Sequence, residues 1–129
     1  MTTSMFTNYA RFVKSLAKPL GTFAADLHHM ATGCATEAGE FLSTTKKIWV
    51  YGQTIDTVNK EGSTHRVNAV EELGDMLFYI QGAANLLGYT LEKIAQENME
   101  KLQKRYPTGY SDALAAQRLD KIEEGREAQ

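Results

Sequence analysis

The sequence predicts an all-α fold: a helical bundle of four main helices plus a short C-terminal helix, completed by oligomerisation. The chain has 129 residues, of which 43% are apolar, and this suits a single domain over residues 1–129 with its own core. Proline occurs only at positions 19 and 107, and the stretch between them is rich in Ala, Leu, Glu and Lys. No segment alternates apolar and polar residues as a half-buried strand requires.

The N-terminal half of the chain predicts two helices followed by a loop. The first helix is expected over 4–17, because Pro19 follows and the residue before a proline disfavours helical backbone. A second, long helix is expected from Thr22 to Lys47. Residues 50–64 mix Gly, Thr, Asn and Ser, a composition that is typical of a loop.

Three more helices are predicted in the C-terminal half. The third begins at position 64 or 65 and continues to 87, where Gly88 can supply the left-handed residue that often follows a helix. A threonine N-cap opens the fourth helix, over 90–106, and the Pro-Thr-Gly run at 107–109 ends it. A last, weaker helix is predicted over 111–123.

Composition and charge exclude several classes of partner. A net charge of −2 and a pI of about 5.9 offer no basic surface to a nucleic-acid polymer. A single cysteine, Cys34, fits a reducing compartment. The N-terminus lacks the pattern of a signal peptide, and the longest uncharged run, 76–91, has 16 residues and several polar ones, too few and too polar to span a bilayer. We therefore expect a cytoplasmic protein without a membrane partner.

Two short motifs repeat one pattern of acid, small or apolar residue, glycine and acid. They are Glu-Ala-Gly-Glu at 37–40 and Glu-Leu-Gly-Asp at 72–75, both inside predicted helices. Residues three apart lie on one face of a helix, so each motif presents two carboxylates together, and these repel unless a cation lies between them. Four carboxylates on two facing helices would form an oxygen-rich site for Mg²⁺ or Mn²⁺. The candidate metal ligands are Glu37, Glu40, Glu72 and Asp75.

The surroundings of the motifs support this interpretation over solvated surface acids. The glycines at positions 39 and 74 each cost roughly 1 kcal/mol relative to alanine, which indicates that something approaches the backbone closely there. Neither helix supplies a Lys or Arg three or four residues from the motif acids, whereas a solvated face usually mixes both signs. The role of Glu71, four residues before Asp75, is left open by the sequence: it is a further metal ligand, a supporting group, a base or a plain surface acid.

The third predicted helix is apolar on more than one side. A helix of this kind is buried, and in so small a protein this predicts burial by a second subunit. One stripe of the helix consists of Leu73, Leu77, Ile80, Ala84 and Leu87, and the other of Met76, Tyr79, Ala83 and Leu86.

The fourth predicted helix places Asn98, Lys101 and Arg105 on one face through their i, i+3, i+7 spacing. Such a polar and cationic stripe can bind phosphate oxygens, although a solvated face explains the same spacing. Lys46 and Lys47, at the end of the second helix, allow the same two interpretations.

Two classes other than an enzyme stay open at this point. One is a non-enzymatic, metal-binding helical bundle of the ferritin type, although no histidine lies three residues before a motif acid as a di-iron bundle would need. The other is a structural helical oligomer whose acids are solvated. The histidines at 28, 29 and 65 have no metal-ligand spacing, and a core or surface role is the simpler interpretation for each.

Taken together, these motifs resemble the MazG-like family of all-α nucleoside triphosphate pyrophosphohydrolases, and in particular its phage-type members. Residues 29–40 resemble the first motif helix of the family and 70–79 the second, while 98–110 resemble the helix and turn that close the site. The resemblance covers roughly residues 26 to 118. The chain departs from the family in its long gap of 31 residues between the two motifs, so no role carries over to the 50–64 loop.

The resemblance implies an activity, a cofactor and a set of site residues. A nucleoside triphosphate would be cleaved to the monophosphate and pyrophosphate by a homodimer or homotetramer that uses Mg²⁺, for which Mn²⁺ can substitute. The four motif acids would hold the metal, and Glu71 or one of them would orient or deprotonate a water. Substrate binding would fall to Lys101 and Arg105 for the phosphates, Asn98 for sugar or phosphate, Lys46 or Lys47 more weakly, and His29 with Trp49 or Tyr51 for the base.

The sequence does not identify the nucleobase of the substrate. Likeness to phage-encoded enzymes favours dGTP, in a host cytoplasm, while dCTP and dUTP stay possible. A phosphoribosyl-ATP pyrophosphohydrolase uses a related acid pattern, but the Arg-Tyr-Pro turn at 105–107 argues against it.

Overall fold

The computed structural model describes residues 3–122, and within this range the chain is helical with no strand. The all-α prediction is confirmed. The chain divides into two compact units, the first ending at Thr90 and the second beginning at Leu91. None of the helices in the described range combines the length and apolar character that crossing a membrane needs. The helices are α1 (Met5–Leu16), α2 (Phe23–Trp49), α3 (His65–Leu87), α4 (Leu91–Arg105) and α5 (Asp112–Gln117).

A hydroxyl side chain begins each helix of the first unit. The side chain of Ser4 accepts a hydrogen bond from the backbone of α1, that of Thr22 from Ala25 N at 3.2 Å, and that of Thr64 from Val67 N at 3.2 Å. These bonds satisfy amides that have no partner inside the helix. The predicted helix starts are therefore confirmed to within a residue.

Gly88 ends α3 as the sequence predicts. Its φ of 75° lies in the left-handed region, which glycine enters without a steric penalty. The amide of Tyr89 then reaches back to the carbonyl of Ala84 at 3.0 Å, and this satisfies one of the last carbonyls of the helix.

Close packing at two glycines fixes how α2 and α3 pair. A Cβ atom added to Gly33 would overlap the ring of Tyr79, and one added to Gly82 would overlap the sulfur of Met30. The two contacts show an antiparallel pair in which three residues forward along α2 match three residues back along α3. This register determines which side chains face each other along the rest of the two helices.

The core of the first unit is small. Val13 of α1, Met30 of α2 and Ala84 of α3 are its fully buried apolar side chains. The amide of Asn85 donates to the carbonyl of Ala10 at 2.9 Å and accepts a bond from Gln81, so a short polar chain holds α1 against α3. Many large apolar side chains of the same helices stay exposed.

The 50–64 connection is a loop, as predicted, but an ordered one. Val58 and Thr64 form an isolated antiparallel bridge, and the turn between them is held by Asn59, whose side-chain oxygen accepts from the amides of Glu61 at 3.0 Å and Ser63 at 2.9 Å. The loop therefore presents its tip in a defined conformation.

The last helix differs from its prediction. α5 ends at Gln117 because Arg118 adopts a left-handed conformation with φ 52°, and the chain becomes helical again over 119–122. A single helix over 111–123 is therefore wrong, and position 123 lies outside the described residues. The end of the second unit is tied to α4 by Arg105, which pairs with Asp120.

Candidate active site

Continuing the register of α2 and α3 brings the two acidic motifs together. Four residues forward along α2 from Gly33, and four back along α3 from Tyr79, the same register brings Glu37 opposite Asp75. One carboxylate oxygen each from Glu37, Glu72 and Asp75 lie within 4.8 Å of one another. The repeat of the motif and the reversal of the second helix thus place three of the four predicted ligands in one group.

Glu40 and Glu71 lie beside this group without belonging to it. Both side chains are exposed. Their charges nevertheless contribute to the raised pKa of Glu72, which places both carboxylates near it. Glu40 as a fourth ligand and Glu71 as a base or supporting group stay predictions.

The electrostatics of the group favour a cation. Burial raises the pKa of Glu72 above its ordinary value, and the negative charges of Glu37, Glu40 and Asp75 raise it further. Within residues 3–122, no Lys, Arg or His forms an ion pair with any of the three converging acids. Hard carboxylate oxygens without a counter-charge are the donor set that suits Mg²⁺ or Mn²⁺, so the residues fit such an ion.

The glycines of the motifs do not meet a neighbour in the described part of the chain. Gly39 and Gly74 are exposed, and a Cβ added to either would find no atom of that part within 4 Å. The close approach that the sequence suggested at the motifs is instead found at Gly33 and Gly82, one to two turns away. Any group that approaches Gly39 and Gly74 must therefore come from a ligand or another chain.

The predicted substrate contacts on α2 lie on both sides of the acids. His29 packs edge-on against Tyr79 at 6.1 Å between ring centroids, and its Nδ1 is buried with no hydrogen-bond partner among residues 3–122. At the other end, Lys46 Nζ lies 5.8 Å from the ring centre of Tyr51, and the Trp49 side chain is 89% exposed. None of these residues belongs to the three-acid group, and their roles stay predictions.

In the second unit, α4 carries the other predicted contacts. Asn98 and Lys101 are exposed, while Arg105 uses two arms of its guanidinium for Asp120: Nε donates to Oδ1 and Nη2 to Oδ2, both at 2.8 Å. This bidentate bond lowers the pKa of Asp120 to about 2 and raises that of Arg105. The pair gives Arg105 a structural role, and a further role in phosphate binding stays a prediction.

Two features of the structure were missed by sequence reasoning. Asp120 is 1% exposed and holds Arg105, but no local pattern links positions fifteen residues apart across a turn. The loop covers a cavity beside His65, which is also 1% exposed and donates through Nε2 to Gln53 Oε1. A signal for the cavity did exist, since Lys47 follows the first motif by seven residues and His65 precedes the second by seven.

A helical hairpin that gathers three carboxylates, with no counter-charge among residues 3–122, is a candidate site for a divalent cation. Residues 26–110 match the MazG nucleotide pyrophosphohydrolase domain, and the chain belongs to this family. It is similar to the Gene 37 protein of Mycobacterium phage L5, with 32% identity over 83 residues, which make up 64% of this chain and 68% of that protein. No solved structure matches the chain.

Proposed function

We propose that the protein hydrolyses a deoxynucleoside triphosphate, dGTP in the first place, to the monophosphate and pyrophosphate with the help of Mg²⁺. The convergence of Glu37, Glu72 and Asp75 without a counter-cation, in a chain of this family, is the observation that carries the proposal. The similarity to a phage protein supports a phage-type enzyme at work in a host cytoplasm, where dGTP is one of several available substrates. dCTP and dUTP are the other substrates that the same site chemistry allows.

The converging acids would hold the metal, with Glu40 as the fourth ligand. A bound Mg²⁺ would neutralise phosphate oxygens and lower the pKa of a water, and Mn²⁺ can substitute for it. The paired helices place the acids before the substrate arrives, so their mutual repulsion is already present in the free protein, as the raised pKa of Glu72 indicates. Binding a cation relieves that repulsion, which favours metal binding at this point.

The reaction needs one proton acceptor beside the ligands. Water supplies an oxygen to phosphorus, the anhydride bond between the α- and β-phosphates breaks, and pyrophosphate leaves with that bond's oxygen. The attacking water must lose a proton, and Glu71, an exposed carboxylate of α3 outside the three-acid group, would accept it. One of the four ligand acids is the other candidate for this role.

The remaining predicted contacts complete the substrate site in this proposal. Lys101 would bind the triphosphate, and Asn98 the sugar or a phosphate, because both are exposed on one face of α4. Arg105 would share the phosphates through the part of its guanidinium that Asp120 does not use. Weaker roles are proposed for three residues of α2: Lys46 for the phosphates, and His29 or Trp49 as alternatives for the base.

A second copy of the chain would complete the core, giving a homodimer or homotetramer. Four apolar side chains on one face of α3, at spacings of three, seven and seven residues, are each at least 40% exposed. Side chains in such a row pack well against a like helix. Sedimentation velocity tests the assembly, because Leu73→Lys should convert a dimer to a monomer, whereas Lys14→Glu on the exposed side of α1 should not. The exposed members of the row are Val70, Leu73, Ile80 and Leu87.

The decisive experiment is pyrophosphate release with Mg²⁺ from all eight ribo- and deoxynucleoside triphosphates. Release from one or two of them, reduced at least a thousandfold in Glu72→Gln and Asp75→Asn, supports the reaction and names the base. Glu100→Gln is the matched control, since this exposed acid of α4 accepts a hydrogen bond from Gln96, lies outside the acid group and should leave release unchanged. No release from any nucleotide would reject the proposal.

Metal binding can be measured apart from catalysis. Isothermal titration with Mn²⁺ should show a site that is lost in Glu37→Gln and retained in Glu71→Gln. Loss of pyrophosphate release in Glu71→Gln with the metal site intact would assign the proton acceptor to Glu71. Full release in that variant would leave the task to one of the ligand acids.

A further inference from the structure

The ordered loop borders an open, solvent-accessible cavity that contains none of the three converging acids. Its volume is about 310 Å³, and charged and polar side chains of both helices and the loop line it. The lining includes Lys47 from α2, His65 from the start of α3, and Gln53, Asn59, Lys60 and Glu61 from the loop. We call this cavity the loop pocket.

The loop pocket lies in line with the acid site along the α2–α3 pair. Lys47 follows Glu40 by seven residues, and His65 precedes Glu72 by seven. Seven residues are two turns, so each pair shares a helix face and is separated by about 10.5 Å along the axis. Because the helices are antiparallel, both steps lead in the same direction. The pocket therefore lies next to the acids along the helix pair, about two turns from Glu40 and Glu72.

Hydrogen bonds hold the His65 side chain and the backbone of the loop turn in place. His65 is fully buried and donates from Nε2 to the side-chain oxygen of Gln53, which leaves the amide NH₂ of Gln53 for a ligand. Asn59 fixes the turn that carries the next two residues, Lys60 and Glu61. Its side-chain oxygen accepts two backbone hydrogen bonds, and its backbone N–H donates to Ser63 O at 2.8 Å. These bonds fix the backbone from which the side chains of Lys60 and Glu61 extend, which reduces the entropy lost on binding.

The charges of the loop pocket distinguish between bases. The two lysines can only donate, and the Glu61 carboxylate can only accept. Guanine presents O6 and N7 as neighbouring acceptors, with N1–H and the N2 amino group as donors beside them. Adenine has an amino group where guanine has O6, and cytosine and thymine lack the N7 acceptor. Arg66, the residue after His65, does not compete with the two lysines for the base, because its guanidinium is paired with Asp56 at 3.0 Å.

We infer that the loop pocket binds the base of the substrate and selects guanine, with Lys47 and Lys60 donating to O6 and N7 and Glu61 accepting from N1–H and the N2 amino group. The inference rests on the proposed function, since it takes the phosphates to lie at the acids. It places the base on the opposite side of the acids from His29. The long gap between the motifs thereby acquires a purpose: the extra residues build the part of the site that identifies the substrate.

The test compares kcat/KM for pyrophosphate release from the four deoxynucleoside triphosphates. Glu61→Gln and Lys60→Met should each lower the value for dGTP roughly ten- to a hundredfold and leave the other three within threefold, because a good pair of base contacts discriminates to this extent. Lys18→Met, which changes an exposed lysine of the α1–α2 connection, should change none of the four. His29→Gln tests the opposite location of the base and should leave the order of preference unchanged.

Several results would overturn the inference. An equal loss for all four substrates would mean that the lysines contact phosphate, and unchanged values would mean that the pocket is not part of the site. A wild-type preference for a base other than guanine would reject the assignment of the donors and acceptors. A shift of preference in His29→Gln alone would move the base to the other side of the acids.

Failure of the proposed function gives a different pattern. In that case the wild type releases no pyrophosphate from any nucleotide, and the pocket is tested without catalysis. Equilibrium dialysis of dGMP, dAMP, dCMP and dTMP in EDTA should then show preferential retention of dGMP that Glu61→Gln removes. Equal retention of the four monophosphates, or none, would overturn the inference whether or not the enzyme is active.

Discussion

Two stretches of the same helical pair use glycine in opposite ways. In the packing stretch, 30–33 of α2 with 79–82 of α3, each glycine receives a side chain of the other helix. In the acid stretch, 37–40 with 72–75, no atom of residues 3–122 lies close to either glycine and no cation of that range pairs with the converging acids. The first stretch stabilises the pair, and the second is left destabilised in the free protein. This division is typical of a scaffold that carries a binding site.

The largest effect that tests this comparison is expected for Gly33→Ala. A methyl group there overlaps the Tyr79 ring near its attachment point, which cannot move far, so the variant should lose about 2 kcal/mol of unfolding free energy even after the gain in helix propensity. Urea unfolding followed by circular dichroism measures the loss. Unfolding at the wild-type urea concentration would mean that the two helices do not pack at this glycine.

A gain in unfolding free energy, rather than a loss, is expected for Gly39→Ala, six residues further along the same helix. No atom of residues 3–122 lies within 4 Å of the added methyl group, so the metal-free protein should gain about 1 kcal/mol. The same urea measurement applies, with Gly33→Ala as the matched control. If a substrate or second chain approaches this glycine, pyrophosphate release should fall while stability rises, whereas full release would reject a close approach.

A smaller loss is expected for Gly82→Ala. The overlapping atom is the sulfur of Met30, which belongs to a flexible side chain, and the gain in helix propensity offsets part of the strain. The net loss should stay within about 1 kcal/mol, clearly below that of Gly33→Ala. A loss as large as that of Gly33→Ala would show that Met30 cannot move aside.

The smallest effect concerns the charge of Glu72. Its pKa is raised, so its negative charge disfavours the folded state near neutral pH, and Glu72→Gln should stabilise the metal-free protein by about 0.5 kcal/mol at pH 7. As the pH falls through the raised pKa towards the ordinary value of about 4.3, the folded wild type takes up the proton first and the difference disappears. Thermal unfolding between pH 7 and 4.5 measures it. A difference that grows on acidification would contradict the raised pKa.

Much of this architecture follows from local sequence. The hydroxyl caps at 4, 22 and 64 and the glycine at 88 act over three to five residues, so helix starts and the end of α3 could be predicted. The convergence of Glu37, Glu72 and Asp75 could be predicted because the spacing of each motif lies within a single helix. The family resemblance extended the prediction to the activity, and the match over residues 26–110 confirmed the family.

The remaining features depend on contacts between distant parts of the chain. The Arg105–Asp120 pair joins residues on either side of two turns, and the end of α5 is set by the backbone of Arg118 rather than by a residue type that breaks helices. The order of the loop arises from hydrogen bonds among its own polar residues, which composition describes only as loop-forming. The sequence suggested a close contact at the glycines of the acid stretch, but among residues 3–122 that contact lies at the glycines of the packing stretch.

The position of the packing stretch has a consequence for how such a protein can change. The alignment of α2 with α3 is set on one side of the acids, and the 50–64 connection joins the helices on the other side. Residues can therefore be inserted into or deleted from the connection without sliding one helix past the other. The 50–64 connection can therefore change in sequence and length independently of the acid site. Grafting it from one relative onto another would transfer the properties of the loop while the positions of the acids stay the same.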